Sequence, residues 1–300
     1  MQRIAARLLC LLLLAMATPV AQAVVGGAGV DANTPDSPWA GVGAVLSGKG
    51  HYTGALIGPR HVLTAAHVVK GRLLSELAFR LNLSDAEPIV LPVVAVHLHP
   101  GYQGTRRASD GFWRDDLAVL ELAQPAPPGV PVYDLYPKAD LLRAMIVFVG
   151  YGRGGDGVQG AHLPGSPRIK RVGYNRIDAL LPHGLTDPRR VLLLFDFDGP
   201  DLASNRFKPD TAMNASLGPD LEATFAGGDS GAPLFVHDRG RWKIVGVAAF
   251  VAGQEGAPGR YGSIAGGTLV PAYLDWIRAL LQPSAPTDAP AGAEEKNTKR

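Results

Sequence analysis

Three islands of the chain carry residues that could cooperate in acyl transfer: Val62-Leu63-Thr64-Ala65-Ala66-His67, Asp115-Asp116-Leu117-Ala118-Val119-Leu120 and Gly227-Gly228-Asp229-Ser230-Gly231-Ala232-Pro233. An unactivated serine hydroxyl is a poor nucleophile. It needs an imidazole to take its proton, and a carboxylate to fix the tautomer of that imidazole and stabilise its charged form. Glycines beside the serine let backbone N–H groups turn toward a developing oxyanion, because side chains there would restrict the turn. Taken singly, each island has an ordinary structural explanation: a strand-end histidine, an aspartate opening a strand, a glycine turn. Together, in the order His, Asp, Ser, they point far more narrowly to an activated serine nucleophile.

The islands resemble the signatures of the chymotrypsin-like (trypsin-like) serine protease family. Thr64-Ala65-Ala66-His67 is similar to the family's histidine motif, Asp116-Leu117-Ala118-Val119 to its aspartate motif and Gly228-Asp229-Ser230-Gly231 to its nucleophile motif. Val24-Val25-Gly26-Gly27, His99-Pro100-Gly101-Tyr102, Gly150-Tyr151-Gly152 and Tyr273-Leu274-Asp275-Trp276-Ile277 add matches, so the likeness runs over residues 24–282. Chain order separates the alternatives that share this chemistry. An α/β-hydrolase runs Ser, Asp, His with G-x-S-x-G between strand and helix, whereas here Ala232 replaces the last glycine and Pro233 opens a strand; subtilisin-like enzymes run Asp, His, Ser.

The resemblance implies an all-β chain of two six-stranded Greek-key barrels with a C-terminal helix. The first barrel (24–135) supplies His67 and Asp116, and the second (136–282) supplies Ser230. It implies His67 as general base and then acid, Asp116 as its orienting partner, Ser230 as nucleophile and the N–H groups of Gly228 and Ser230 as the oxyanion hole. Asp115 is the neighbouring rival to Asp116, which is preferred because the apolar run starts directly after it. A free Val24 amino terminus would pair with Asp229, as in activated family members. For the substrate pocket, Thr224 stands six residues before the nucleophile, where trypsin-like members carry an acid, and Ala249-Phe250-Val251 replaces the usual Ser-Trp-Gly. These residues imply a shallow apolar pocket for a small or medium aliphatic side chain. Ala249 also lacks the hydroxyl that supports the aspartate in the family, and with it a second reading stays open: a catalytically weak binding protein that keeps the fold.

The elements that must position these groups are short. β-like runs at 40–46, 53–57, 61–64, 89–97, 117–122, 145–151, 168–177, 191–197, 233–237, 243–251 and 267–270 alternate with Gly/Pro/Asp turns, the pattern of a sandwich or paired barrels. A proline-rich connection at 124–131 divides the two units. Tyr273, Leu274, Ile277, Leu280 and Leu281 recur at helical spacing and predict a helix over 271–282. Residues 283–300 have no large apolar side chain and read as a disordered tail.

Composition agrees with that class. Of 300 residues, 37 are Gly and 25 Pro, 46% are hydrophobic and 7% aromatic, which suits a turn-rich globular chain with a sizeable core. A formal net charge of +2 supplies no basic field for nucleic acid. Arg3 and Arg7, the ten-residue apolar run Leu8–Ala17 and Ala21-Gln22-Ala23 form the three parts of a secretory signal peptide, cleaved after Ala23. The run is too short for a membrane anchor. Cleavage removes the single cysteine, Cys10, and leaves a disulfide-free mature chain, secreted or periplasmic, acting on polypeptide. No cofactor or metal is expected. His97 and His99 alternate on one strand without an evident third ligand, and Asp196-Phe197-Asp198-Gly199-Pro200-Asp201 is either a solvated turn or a calcium loop.

Overall fold

The structure, a computed structural model of the 300-residue chain, describes residues 24–27, 29–84, 87–106, 110–207, 216–253 and 258–282. The expected signal segment with Cys10 and the expected tail lie outside the described residues. Among the described residues, no helix is long and apolar enough to cross a membrane.

Six strands close into the first barrel: β1 (Val42–Ser47), β2 (Gly50–Gly58), β3 (His61–Thr64), β4 (Leu77–Leu81), β5 (Ile89–Leu98) and β6 (Ala118–Leu122), in the ring order β1-β2-β3-β6-β5-β4. The side-chain period of two drives closure. In β4, Leu77, Phe79 and Leu81 are buried while Ala78 and Arg80 face away. Phe79 joins Val45, Leu56, Leu63 and Leu120 in the interior, and a closed ring leaves no sheet edge for another chain to extend. The β4 run was not among the expected strands, because Arg80 interrupts its apolar pattern.

The second unit runs β7 (Met145–Gly150), β8 (Arg171–Arg176), β9 (Ala179–Pro182), β10 (Arg190–Asp196), β11 (Pro233–Asp238), β12 (Arg241–Ala252) and β13 (Ile264–Leu269), ordered β9-β10-β13-β12-β11-β7-β8. Only Ile177 and Asp178 separate β8 from β9. The Ile177 N–H bonds Ala144 O on the β7 side, and the next N–H, of Asp178, bonds Leu194 O on the β10 side. β8 and β9 are therefore one strand bent at that point, handing its pairing from β7 to β10. Counted once, it closes a six-stranded ring around Phe148, Leu193, Phe195, Leu234, Val245 and Leu269.

Two features cross the expected division near residue 135. Val25–Gly26 pairs with Ala223–Thr224 and Gly155, and Gly29–Val30 pairs with β8, so the first described residues belong to the second unit. Asp134–Leu135 likewise lies parallel to β12. A buried ion pair fixes the crossing, with Lys170 Nζ 3.2 Å from Asp31 and 3.0 Å from the Trp39 carbonyl. At the C-terminal end the predicted helix is shorter than its apolar pattern. Val270–Tyr273 forms a 3-10 turn, and α-helix begins only at Leu274 because Tyr273 (φ −122°) leaves the helical region between the two.

Candidate active site

β3 ends at Thr64, and a single helical turn, α1 (Ala66–Val69), carries His67 into the space between the units. On the facing strand, the chain turns tightly before β6: the Leu117 N–H bonds Asp115 O, and Asp115 takes the left-handed conformation (φ 57°). This turn sends the two aspartates in different directions. Asp116 is fully buried, with one carboxylate oxygen accepting the His67 backbone N–H at 2.9 Å and the other 2.6 Å from His67 Nδ1. Asp115 accepts the Tyr273 hydroxyl at 2.9 Å and lies 3.1 Å from His183 Nε2, away from His67. With Nδ1 held by the carboxylate, proton-accepting capacity resides on Nε2. Trp113 stacks beside the His67 ring with centroids 6.1 Å apart.

Among the described residues, no side chain other than His67 bonds the Asp116 carboxylate in place of the hydroxyl missing at Ala249. Both carboxylate oxygens are taken by His67, while Thr268 of β13 donates at 3.0 Å to the Asp116 backbone carbonyl and ties that turn to the second unit.

Ser230 stands in the loop between Ala223–Thr224 and β11. Backbone bonds from Asp229 N to Ala226 O, Ala232 N to Asp229 O and Gly231 N to Ala248 O shape the loop. Gly228 (φ 101°) and Gly231 (φ 85°) occupy backbone conformations that favour glycine. A side chain at Gly231 would also strike the Thr64 hydroxyl and the Thr53 carbonyl. Among the described residues, neither the Gly228 N–H nor the Ser230 N–H donates to another group, and the Ser230 hydroxyl has no hydrogen bond, with His67 or otherwise.

Asp229 is almost fully buried. Its carboxylate accepts the Gly152 and Ala226 N–H groups at 2.8 and 2.9 Å. Burial pushes it up to about 6, against the pull of those two bonds and of the Arg171 charge. Val24 is buried in the second core with Phe148 and Phe225; in the uncut chain its nitrogen is a peptide amide and carries no charge.

A cavity of about 90 Å³ adjoins Ser230, lined by Phe225, Ala226, Gly227, Ala248, Ala249, Phe250 and Val251. Phe225 is wedged edge-on against Phe148 and Phe195, at centroid distances of 4.8 and 5.1 Å, and Phe250 stacks on Phe112 of the first unit at 4.7 Å.

A family model described as Trypsin matches residues 26–177, a stretch that contains His67 and Asp116. The chain belongs to the trypsin family. It is 29% identical over 256 residues to vitamin K-dependent protein C of Mus musculus, covering 82% of this chain and 49% of that protein. It is 24% identical to phenoloxidase-activating enzyme 1 of Spodoptera litura (85% of this chain, 66% of the relative) and 25% identical to CLIP domain-containing serine protease B8 of Anopheles gambiae (75% and 57%). The chain thus spans about half to two thirds of the length of these curated relatives.

This trypsin-family chain corrects one expected pocket residue. Thr224 does not line the cavity: it is fully buried in a two-residue strand against Val25, its hydroxyl unpartnered, and the next residue, Phe225, lines the pocket instead. Ala249, Phe250 and Val251 line the cavity.

Sequence reasoning missed Thr53. Its N–H donates to Ser230 O (3.0 Å), its hydroxyl donates to Gly228 O (3.1 Å), and that hydroxyl accepts the Tyr151 N–H (3.1 Å), so one β2 residue secures the serine loop to the first barrel. A threonine in a β-run carries no signal of such a role.

Among the described residues, no group of three His, Cys, Asp or Glu side chains could hold a metal ion. His99 instead packs edge-on against Tyr273 and Trp276. The Asp196–Asp201 stretch is not a solvated turn at its start. Asp196 and Asp198 are buried with Asp178 and Glu222, linked by bonds from Asp196 N to Asp178 (3.2 Å) and from Asp198 N to Glu222 (2.8 Å).

Proposed function

We propose that this trypsin-family chain is a serine endopeptidase that cleaves peptide bonds through an acyl-enzyme. The observation that carries the reading is the His67–Asp116 pair, in which a buried carboxylate spends both oxygens on one histidine. Asp116 fixes the tautomer, His67 Nε2 takes the Ser230 proton as Oγ attacks the scissile carbonyl, and the same proton then goes to the leaving amine. Water repeats the sequence to release the acyl group. The uncommitted N–H groups of Gly228 and Ser230 are the donors available to the oxyanion of each tetrahedral intermediate.

The small apolar cavity beside Ser230 favours a small or medium aliphatic residue on the acyl side of the cleaved bond, because Phe225 and Val251 offer no counter-charge to Arg or Lys. Export as a secreted or periplasmic protein, removal of residues 1–23 and pairing of a freed Val24 ammonium with Asp229 complete the proposal. N-terminal sequencing of the exported protein checks the cut, and a start other than Val24 refutes it.

A fluorophosphonate probe tests the central claim. Wild type is expected to label, Ser230→Ala is not, and an unlabelled wild type leaves the binding-protein reading in its place.

A further inference from the structure

In the uncut chain Val24 brings no charge to Asp229, because its nitrogen is a peptide amide. Among the described residues, the cation acting on its carboxylate is Arg171, the first residue of β8. Arg171 is itself buried, only 4% exposed. Its Nη1 donates to Gly152 O at 2.6 Å, its Nη2 reaches Pro164 O at 3.4 Å, and its Nε has no partner. Among the described residues no carboxylate forms an ion pair with the guanidinium; burial lowers its proton affinity while the Asp229 charge raises it. Gly152 joins the two groups: its carbonyl accepts from Arg171 and its N–H donates at 2.8 Å to Asp229. The junction has no room for a side chain on Gly152, where a Cβ would collide with the Asp229 carboxylate, and one on Gly228 would press on the Gly152 backbone. An unbroken line of contact therefore leads from Arg171 through Gly152 to Asp229 and Gly228.

We infer that Arg171 is a positioning residue, which by gripping Gly152 and facing the Asp229 charge keeps the Asp229–Ser230 loop set while Val24 is still joined to the residue before it. This rests on the proposed roles of Gly228 and Ser230. A Val24 ammonium, once freed, adds to the charge facing Asp229 rather than supplying all of it.

The test compares the full chain with its Ala23–Val24 bond intact, the same chain cut after Ala23, and Arg171→Gln and Arg171→Lys in both forms. Readouts are fluorophosphonate labelling, kcat and KM on a small aliphatic peptide ester, and thermal unfolding. Intact wild type is expected to label and to gain less than about tenfold in kcat on cutting. Intact Arg171→Gln should lose about 100-fold in kcat, the scale of one lost oxyanion donor, with KM nearly unchanged. Arg171→Lys, or guanidinium ion added to a folded Arg171→Gly variant, should recover part of it. Unchanged kcat in intact Arg171→Gln overturns the inference, as does a loss that merely follows the unfolded fraction and is recovered by neither route. If wild type labels only after cutting, the inference fails while the endopeptidase reading stands; if neither form labels, both fall.

Discussion

Asp115 and Asp116 are chemically identical neighbours, and only the left-handed turn at Asp115 gives them separate work. Asp116→Asn should lower kcat by about 10³–10⁴, because an amide can no longer hold the His67 N–H donors in the same tautomer. Asp115→Asn keeps an oxygen for the Tyr273 hydroxyl and should stay within about tenfold of wild type, a factor worth about 1.4 kcal/mol. Steady-state kinetics of the two variants decides between them, and the reverse ranking would exchange their roles. In the pocket, Val251→Gly should open the small cavity and raise kcat/KM for Phe over Ala on the acyl side, read from a panel of peptide substrates. His67, Asp116 and Ser230 stand out in the sequence as candidates because acyl transfer restricts residue type and chain order together. Thr53 was not, since its three bonds to the serine loop and Tyr151 come from folding two barrels against each other. Thr224 was misplaced for a related reason: distance along the chain from the serine does not reveal which of two successive residues faces the cavity.

At the scale of elements, the junction of the β8–β9 bend, the end of β10 and the segment before Thr224 gathers four buried carboxylates. Burial first, then the charge of a neighbouring acid, pushes Asp198 up to about 6 and Glu222 up to about 8, and burial likewise raises the Asp178–Asp196 pair. These groups hold protons in the folded chain that the unfolded chain has already released. The stabilisation is therefore complete at acid pH, below the ordinary carboxylate range, and is lost as pH rises through the raised values. Thermal unfolding should show a Tm that falls between pH 5 and pH 8. Asp198→Asn, which removes the buried ionisable group, should raise Tm at pH 8 by about 2–4 °C for each kcal/mol recovered and change it little at pH 5. An equal shift at both values would mean that the carboxyl acts through packing. The acidic stretch was visible in the sequence, but its burial was not. Its partners Asp178 and Glu222 arrive from distant segments, and Phe197 between the two acids points into a separate small core with Val25. Strands with clean alternation were legible. β4, broken by Arg80, and β9, ending in Pro182, became strands only through the neighbours that pair with them.

For the whole molecule, one cysteine in 300 residues leaves no intrachain disulfide, so the two apolar cores and the barrel contacts at Thr53 and Thr268 carry the assembly. Dithiothreitol should change neither the denaturation midpoint nor the labelling rate, and a drop in either would reveal a thiol linkage to another molecule. The two barrels are not successive beads on the chain, because Val25–Gly26 and Gly29–Val30 lie in the sheets of the second. Val25 finds its partner Thr224 only after all of the first barrel and much of the second unit have been made. During synthesis, then, the first barrel can assemble from residues 42–122 while the segment ahead of it waits, and the second cannot complete its sheets until that segment swings back. Contacts so far apart along the chain slow folding and lengthen the life of incomplete intermediates. The segment that leads the described fold is therefore seated against residues made long after it, which ties completion of the second unit to the return of Val25 to Thr224, the chain neighbour of Phe225 in the cavity wall.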